Sequence, residues 1–159
     1  MDRAEKALLT PGRLAFGLVA AAVFVLDRVT KGLVNASVPQ GSEVNVVPGL
    51  VWIANYRNAG AAFGLVPAAS LLFLVASIVV AVALVVYVAR NPGHPLTEAL
   101  LGLILGGTLG NGYDRAFHGS VTDFIALHWW PVFNVADAAI SVGVALLLAS
   151  YLLRPKRAG

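Results

Sequence analysis

"AASLLFLVASIVVAVALVVYVA", residues 68–89, runs for 22 residues without one charged side chain. As a helix this stretch rises about 33 Å, and crossing the hydrocarbon of a bilayer takes about 20 apolar residues. The surrounding chain has the matching balance. Of its 159 residues 58% are hydrophobic and 12% charged, against about 25% charged in ordinary soluble domains. The length suits one domain, and the composition points to lipid as its solvent.

Working outward, Pro131 to Leu153 is a second long apolar run, with Asp137 as its one charge. Near the amino end, "LAFGLVAAAVFVL" at 14–26 is short. Taken alone it has the form of a signal-peptide core behind a basic terminus. The helical pattern continues, however, through Asp27 and Lys31, an i,i+4 pair with the acid first, so Arg13 to Val34 is long enough to span. "LTEALLGLILGGTLGNGY" at 96–113 supplies a further helix, with Thr97 and Glu98 suited to its positive amino end. Its Gly102, Gly106 and Gly110 form GxxxGxxxG, a flat face that admits a neighbouring helix.

Between these helices the pattern changes. "SEVNVVPGLVWIANY" carries β-branched and aromatic residues on both sides of Pro48-Gly49, which predicts a hairpin at about 43–56. "SVTDFIAL" at 120–127 has the composition of a third strand. Trp129 and Trp130 suit an interfacial aromatic belt, and Pro131 is placed to open the last helix.

The expectation is an all-α membrane protein, one polytopic domain over 1–159, with four transmembrane helices at about 13–34, 68–89, 96–113 and 131–153. A small extracytoplasmic β region is expected at about 40–66 and 120–127. Four spans put both termini and the 90–95 loop on one side. That side holds seven of the eleven Lys and Arg residues, so both termini are expected in the cytoplasm and the longer connections outside.

Several chemistries are excluded or unsupported. The chain has no cysteine, which removes disulfides, thiolate nucleophiles and cysteine metal sites. His94, His118 and His128 show no zinc-ligand spacing, and no metal or other cofactor is expected. The basic residues gather at the chain ends instead of on a face interleaved with aromatics, so nucleic acid is not expected as a partner.

The polar residues that remain fall at one expected depth. Asp27 and Lys31 end the first helix, Asn58 follows the hairpin, Asn111 and Arg115 end the third helix, and Asn134 and Asp137 begin the fourth. Asp123 lies in the last connection. Asn111 and Arg115 are i,i+4 and Asn134 and Asp137 are i,i+3, so each pair shares a helix face. Ionisable groups in a membrane are costly and usually face an interior or cavity. Asp123 could merely pair with Arg115, and Asp137 could merely sit at the positive end of its helix. Two carboxylates close together instead share a proton, which lets one act as base and the other as acid.

Four blocks of the sequence resemble the bacterial lipoprotein signal peptidases, or signal peptidase II: "LDRVTK" at 26–31, "RNAGAAFG" at 57–64, "GGTLGNGYDRAFHGSVTDFI" at 106–125 and "FNVADAAI" at 133–140. The resemblance implies an intramembrane aspartic endopeptidase with Asp123 and Asp137 as its catalytic dyad. It also implies four antiparallel helices with a small β-cradle, and a site near the extracytoplasmic face of the bacterial inner membrane. The implied substrates are diacylglyceryl-modified prolipoproteins, cleaved just before the lipid-bearing cysteine, and the implied partners are membrane lipid and these precursors, with the enzyme monomeric. The family pattern further marks Asp27, Lys31, Asn58, Gly60, Gly107, Asn111, Arg115, Asn134 and Ala136 as substrate-binding or dyad-supporting. Gly112 departs from the pattern, which usually has a larger apolar residue there; a glycine costs a helix up to about 1 kcal/mol relative to alanine. Two other readings stay open from the residues alone: a small proton-coupled transporter relaying through Asp27, Asp123 and Asp137, and a non-catalytic scaffold that associates through GxxxGxxxG.

Overall fold

The computed structural model describes residues 10–60, 67–91 and 93–153. They form helix α1 (Pro11–Ser37), strands β1 (Glu43–Val47) and β2 (Val51–Asn58), helices α2 (Pro67–Arg90) and α3 (Pro95–His118), strand β3 (Val121–Ala126) and helix α4 (Val135–Leu152). The chain is mostly helical with one small three-stranded sheet. Of the expected β region, residues 61–66 lie outside the described residues, as do both chain ends.

Local chemistry starts and stops the helices. Thr10 caps α1 by accepting from the Arg13 amide at 3.3 Å, with Pro11 in the first turn, where its missing N–H costs nothing. His94 and Pro95 open α3, and Gly119 closes it at φ 71° with its amide on the Arg115 carbonyl. α3 therefore runs past Gly112 to His118. Gly112 is buried inside the helix, where a Cβ would lie 3.3 Å from the Ser77 Cβ of α2.

The glycine stripe of α3 is spent inside the molecule. A Cβ at Gly102 would lie 2.6 Å from the Phe16 carbonyl oxygen, and one at Gly106 would lie 2.6 Å from that of Ala20. One at Gly110 would lie 2.7 Å from the Asp27 carboxylate. All three contacts are with α1, so the face that a scaffold would need for association is already occupied. On another side of α3, Gly107 backs onto the Ala136 carbonyl of α4. α3 is thus pressed between α1 and α4, close enough for polar side chains to meet across both crossings.

Two helices, α2 over Ala69–Arg90 and α4 over Val135–Leu152, are long and apolar enough to cross a membrane by length and composition. α1 and α3 carry more charged residues and are not among them. Their charges point inward: Asp27 is 0% exposed, Glu98 1%, and Lys31 and Asp114 2% each. Exposure is reversed on α2, where Leu71, Leu72, Ile78, Val79 and Val82 lie open.

The sheet has order β1-β2-β3, antiparallel throughout. Pro48-Gly49 makes the expected turn, with Gly49 at φ 72° and the Leu50 amide on the Val47 carbonyl at 2.9 Å. β3 pairs with β2 through Tyr56↔Asp123 and Asn58↔Val121, and its inner side packs Phe124 against Val34 of α1 and Val38 just beyond it.

One boundary differs. Pro131 does not open the last helix; α4 begins at Val135. Phe133 remains extended because its backbone exchanges hydrogen bonds with Ile125 at 2.8 and 3.1 Å, continuing the edge of the sheet. Asn134 then caps α4. The chain leaves the sheet and enters the helix with no slack between them.

Candidate active site

Asp123 sits on β3 and is buried, with each carboxylate oxygen accepting one amide. Asn58 Nδ2 donates to Oδ2 at 2.9 Å and Asn134 Nδ2 to Oδ1 at 2.7 Å. Asn58 is positioned by the sheet, since it lies on the same face as Tyr56, the residue opposite Asp123. Its own Oδ1 accepts the Gly60 amide at 2.8 Å, which fixes the orientation of the side chain. Gly60 has φ 86°, and a Cβ there would run into the Phe73 ring. No other residue suits that turn.

Asp137 occupies the first turn of α4. Asn134 Oδ1 accepts the Asp137 amide at 3.0 Å, and Asp137 Oδ2 accepts the Asn134 amide at 3.2 Å. This reciprocal capping box fixes the carboxylate next to its cap. Asn111 Nδ2, from α3, donates to the other oxygen at 2.7 Å. Asn134 therefore touches both acids, holding Asp123 with its side-chain amide and Asp137 through its backbone and Oδ1. The fourteen residues from 123 to 137 reduce to one bridging asparagine.

A second polar group lies behind the first. Lys31 Nζ donates to Asn111 Oδ1 at 2.9 Å and pairs with Asp27 at 3.0 Å and with Asp114 at 2.8 Å. Arg28 pairs with the same two acids, at 2.8 and 2.6 Å, and its guanidinium lies 4.8 Å from the centre of the Tyr113 ring. Asp27 Oδ1 also accepts the Ala136 amide at 3.2 Å, so an anion from α1 sits at the positive end of α4. Ala136 is fully buried at the crossing with Gly110, where a larger side chain has no room.

Of the residues marked in the sequence, Asp27, Lys31, Asn58, Asn111, Asn134 and the two aspartates join one hydrogen-bonded assembly. Gly60, Gly107 and Ala136 serve it as points of close approach. Arg115 stands apart from both carboxylates. Its Nη1 reaches the Asn111 carbonyl at 3.4 Å, its guanidinium lies 5.2 Å from the centre of the Phe73 ring, and its Nε is buried without a partner among the described residues. The simple alternative of an Asp123–Arg115 ion pair is not what forms. Arg28, Asp114 and Thr122 are members that the sequence reading did not single out. Asp114 follows Asn111 by three positions, the one local sign that it shares a helix face with the site.

Burial is the main cause that raises the Asp123 pKa above the ordinary carboxylate range, and the neighbouring charge of Asp137 adds to it. The donors Asn58 and Asn134 and the charge of Lys31 oppose the rise without cancelling it. A carboxyl group poised to hold or release a proton is suited to general acid and base chemistry.

The sequence pattern described as "Signal peptidase (SPase) II" matches residues 19–153. The chain belongs to the signal peptidase II family. Among its relatives, the lipoprotein signal peptidase of Syntrophomonas wolfei is 47% identical over 135 residues, covering 85% of this chain and 91% of that one. That of Geobacillus kaustophilus is 40% identical, covering 84% and 90%. Two solved structures titled as bacterial membrane enzymes share the fold. One has TM-score 0.80 and 29% identity, covering 89% of this chain and 90% of that one; the other has TM-score 0.79 and 31% identity, covering 87% and 92%. These relatives carry the name lipoprotein signal peptidase, that of a family of proteases.

Proposed function

We propose that Asp123 and Asp137 are the catalytic dyad of an aspartic endopeptidase that cleaves diacylglyceryl-modified prolipoproteins just before the lipid-bearing cysteine. The observation that carries the reading is the bridge through Asn134, which bonds to both carboxylates. Like charges close together make ionising both acids costly, so in this reading the pair shares one proton.

In the proposed reaction the ionised carboxylate takes a proton from water as the water oxygen attacks the scissile carbonyl carbon. The protonated partner gives its proton to the carbonyl oxygen. The tetrahedral diol then collapses: a proton passes to the leaving nitrogen, the C–N bond breaks, and the shared proton returns to the pair. No cofactor enters these steps. Arg115, with donors to spare, suits a carbonyl or carboxylate of the substrate.

All four helices are proposed to span the membrane, with α1 and α3 lipid-compatible because their charges are turned inward. The excess of Lys and Arg in the segments that share a side favours cytoplasmic termini, which puts the dyad near the extracytoplasmic face. The exposed Trp129 and Trp130 suit that interface. The apolar surface of α2 suits the acyl chains of bilayer and substrate, and the enzyme is proposed to work as a monomer. The transporter reading loses its relay, because Asp27 is engaged by Arg28, Lys31 and the Ala136 amide.

The test is cleavage of a diacylglyceryl-modified precursor by purified protein in nanodiscs. Asp123→Asn and Asp137→Asn are each expected to abolish the shift to the smaller product while inserting and folding normally. Near-normal cleavage by either variant removes the dyad.

A further inference from the structure

Asp114 is 2% exposed, so it has no surface to offer a substrate. Its contacts nevertheless lead to both acids. Oδ2 accepts the Thr122 amide of β3 at 3.4 Å, one residue before Asp123. The same oxygen lies 2.8 Å from Lys31 Nζ, which donates to Asn111 Oδ1, and Asn111 in turn donates to Asp137. Oδ1 holds Arg28 at 2.6 Å.

We propose that Asp114 is a positioning residue for the dyad, fixing Asp123 through the backbone of β3 and Asp137 through Lys31 and Asn111, and that its charge sets the pH range in which the pair works. This rests on the dyad reading and goes beyond it, since Asp114 touches neither carboxylate.

The electrostatics give the sign. Arg28 and Lys31 from α1 face Asp114, with Asp27 beside them, and His118 from α3 lies at 3.5 Å. Arg115 is on the same helix. β3 offers the Thr122 amide and, beyond it, Asp123, while α4 contributes Asp137. The two cations and two acids of the knot balance, and the charge of Lys31 is felt at Asp123 as a downward pull on its pKa. Neutralising Asp114 leaves two cations against Asp27 alone. The excess positive charge favours the ionised dyad, so both limbs of the pH–rate profile move to lower pH.

The experiment is the pH profile of kcat and KM for cleavage of the diacylglyceryl-modified precursor in nanodiscs. It is run in a His118→Gln background, so that the half-exposed histidine does not titrate. Asp114→Asn is expected to lower kcat, leave KM near its starting value and move both limbs to lower pH. Asp114→Glu keeps the charge and is expected to keep the limbs in place. Limbs unmoved in Asp114→Asn overturn the proposal, whatever the rate. If Asp114→Asn does not fold, Arg28→Gln is the deciding variant: it removes a cation from the same knot, both limbs are expected to move upward, and unmoved limbs overturn the proposal. Asp123→Asn in the same assay separates the two claims. Cleavage that survives in Asp123→Asn removes the dyad, whereas a dead Asp123→Asn beside an unmoved Asp114→Asn removes only the role of Asp114.

Discussion

Two pairs of carboxylates, Asp27 with Asp114 and Asp123 with Asp137, are treated in opposite ways. Asp27 and Asp114 are each gripped by both Arg28 and Lys31, at 2.6 to 3.0 Å, so every charge in that knot has opposite charges beside it. Among the described residues, Asp123 and Asp137 accept from amides, those of Asn58, Asn111 and Asn134. A matched ion cluster stays ionised and ties helices together, because removing one partner strands a buried charge. Acids held by neutral donors remain free to trade a proton. Asn111 joins the two regions, with its Oδ1 on Lys31 and its Nδ2 on Asp137.

The comparison can be broken at the knot first. Lys31→Met leaves Asp27 and Asp114 to share the one Arg28 guanidinium, and is expected to cost about 3–5 kcal/mol of stability, read by unfolding in detergent. A loss in Lys31→Met no larger than in Asp137→Asn would erase the distinction between the two regions.

A smaller effect sharpens the other side. Asn58 donates to Asp123 and so favours its ionised form. Asn58→Ala removes that donor, raises the Asp123 pKa further and is expected to move the pH–rate profile to higher pH. The direction is opposite to that expected for Asp114→Asn. Movement of the profile downward in Asn58→Ala would mean that the amide does not act on the charged form.

The smallest effect lies outside both regions. Gly112→Ala gains up to about 1 kcal/mol of helix propensity and meets the Ser77 Cβ at 3.3 Å, tighter than ordinary contact. The two effects nearly offset, so stability is expected to change by no more than about 0.5 kcal/mol, with cleavage unchanged. A large loss of cleavage would place Gly112 in the site after all.

Much of this was legible before any coordinates. The apolar runs, the Asp27–Lys31 spacing and Pro48-Gly49 each carry a local signal, and α1, the β1–β2 hairpin and β3 appear where those signals lie. The start of α4 was misplaced because Phe133 is held extended by Ile125, a pairing that no local pattern around Pro131 announces. Arg28 and Asp114 were missed for the same physical reason. Their ion pair joins positions 86 residues apart, and side by side with Asp27 or Arg115 each reads as an ordinary helix-end charge. Helical spacing puts Arg115 on one face with Asn111, but it does not fix the side-chain rotamer that carries the guanidinium toward Phe73.

The central claim is that Asp123 and Asp137 act as one unit, and the most direct measurement is cleavage of a diacylglyceryl-modified precursor by Asp123→Asn, Asp137→Asn and the double variant, each confirmed folded. Residues that share a step lose activity together, not additively. The account predicts that each single variant falls by roughly a thousandfold or more and that the double variant falls no further. Single variants that keep substantial cleavage, with losses that multiply in the double variant, would contradict it.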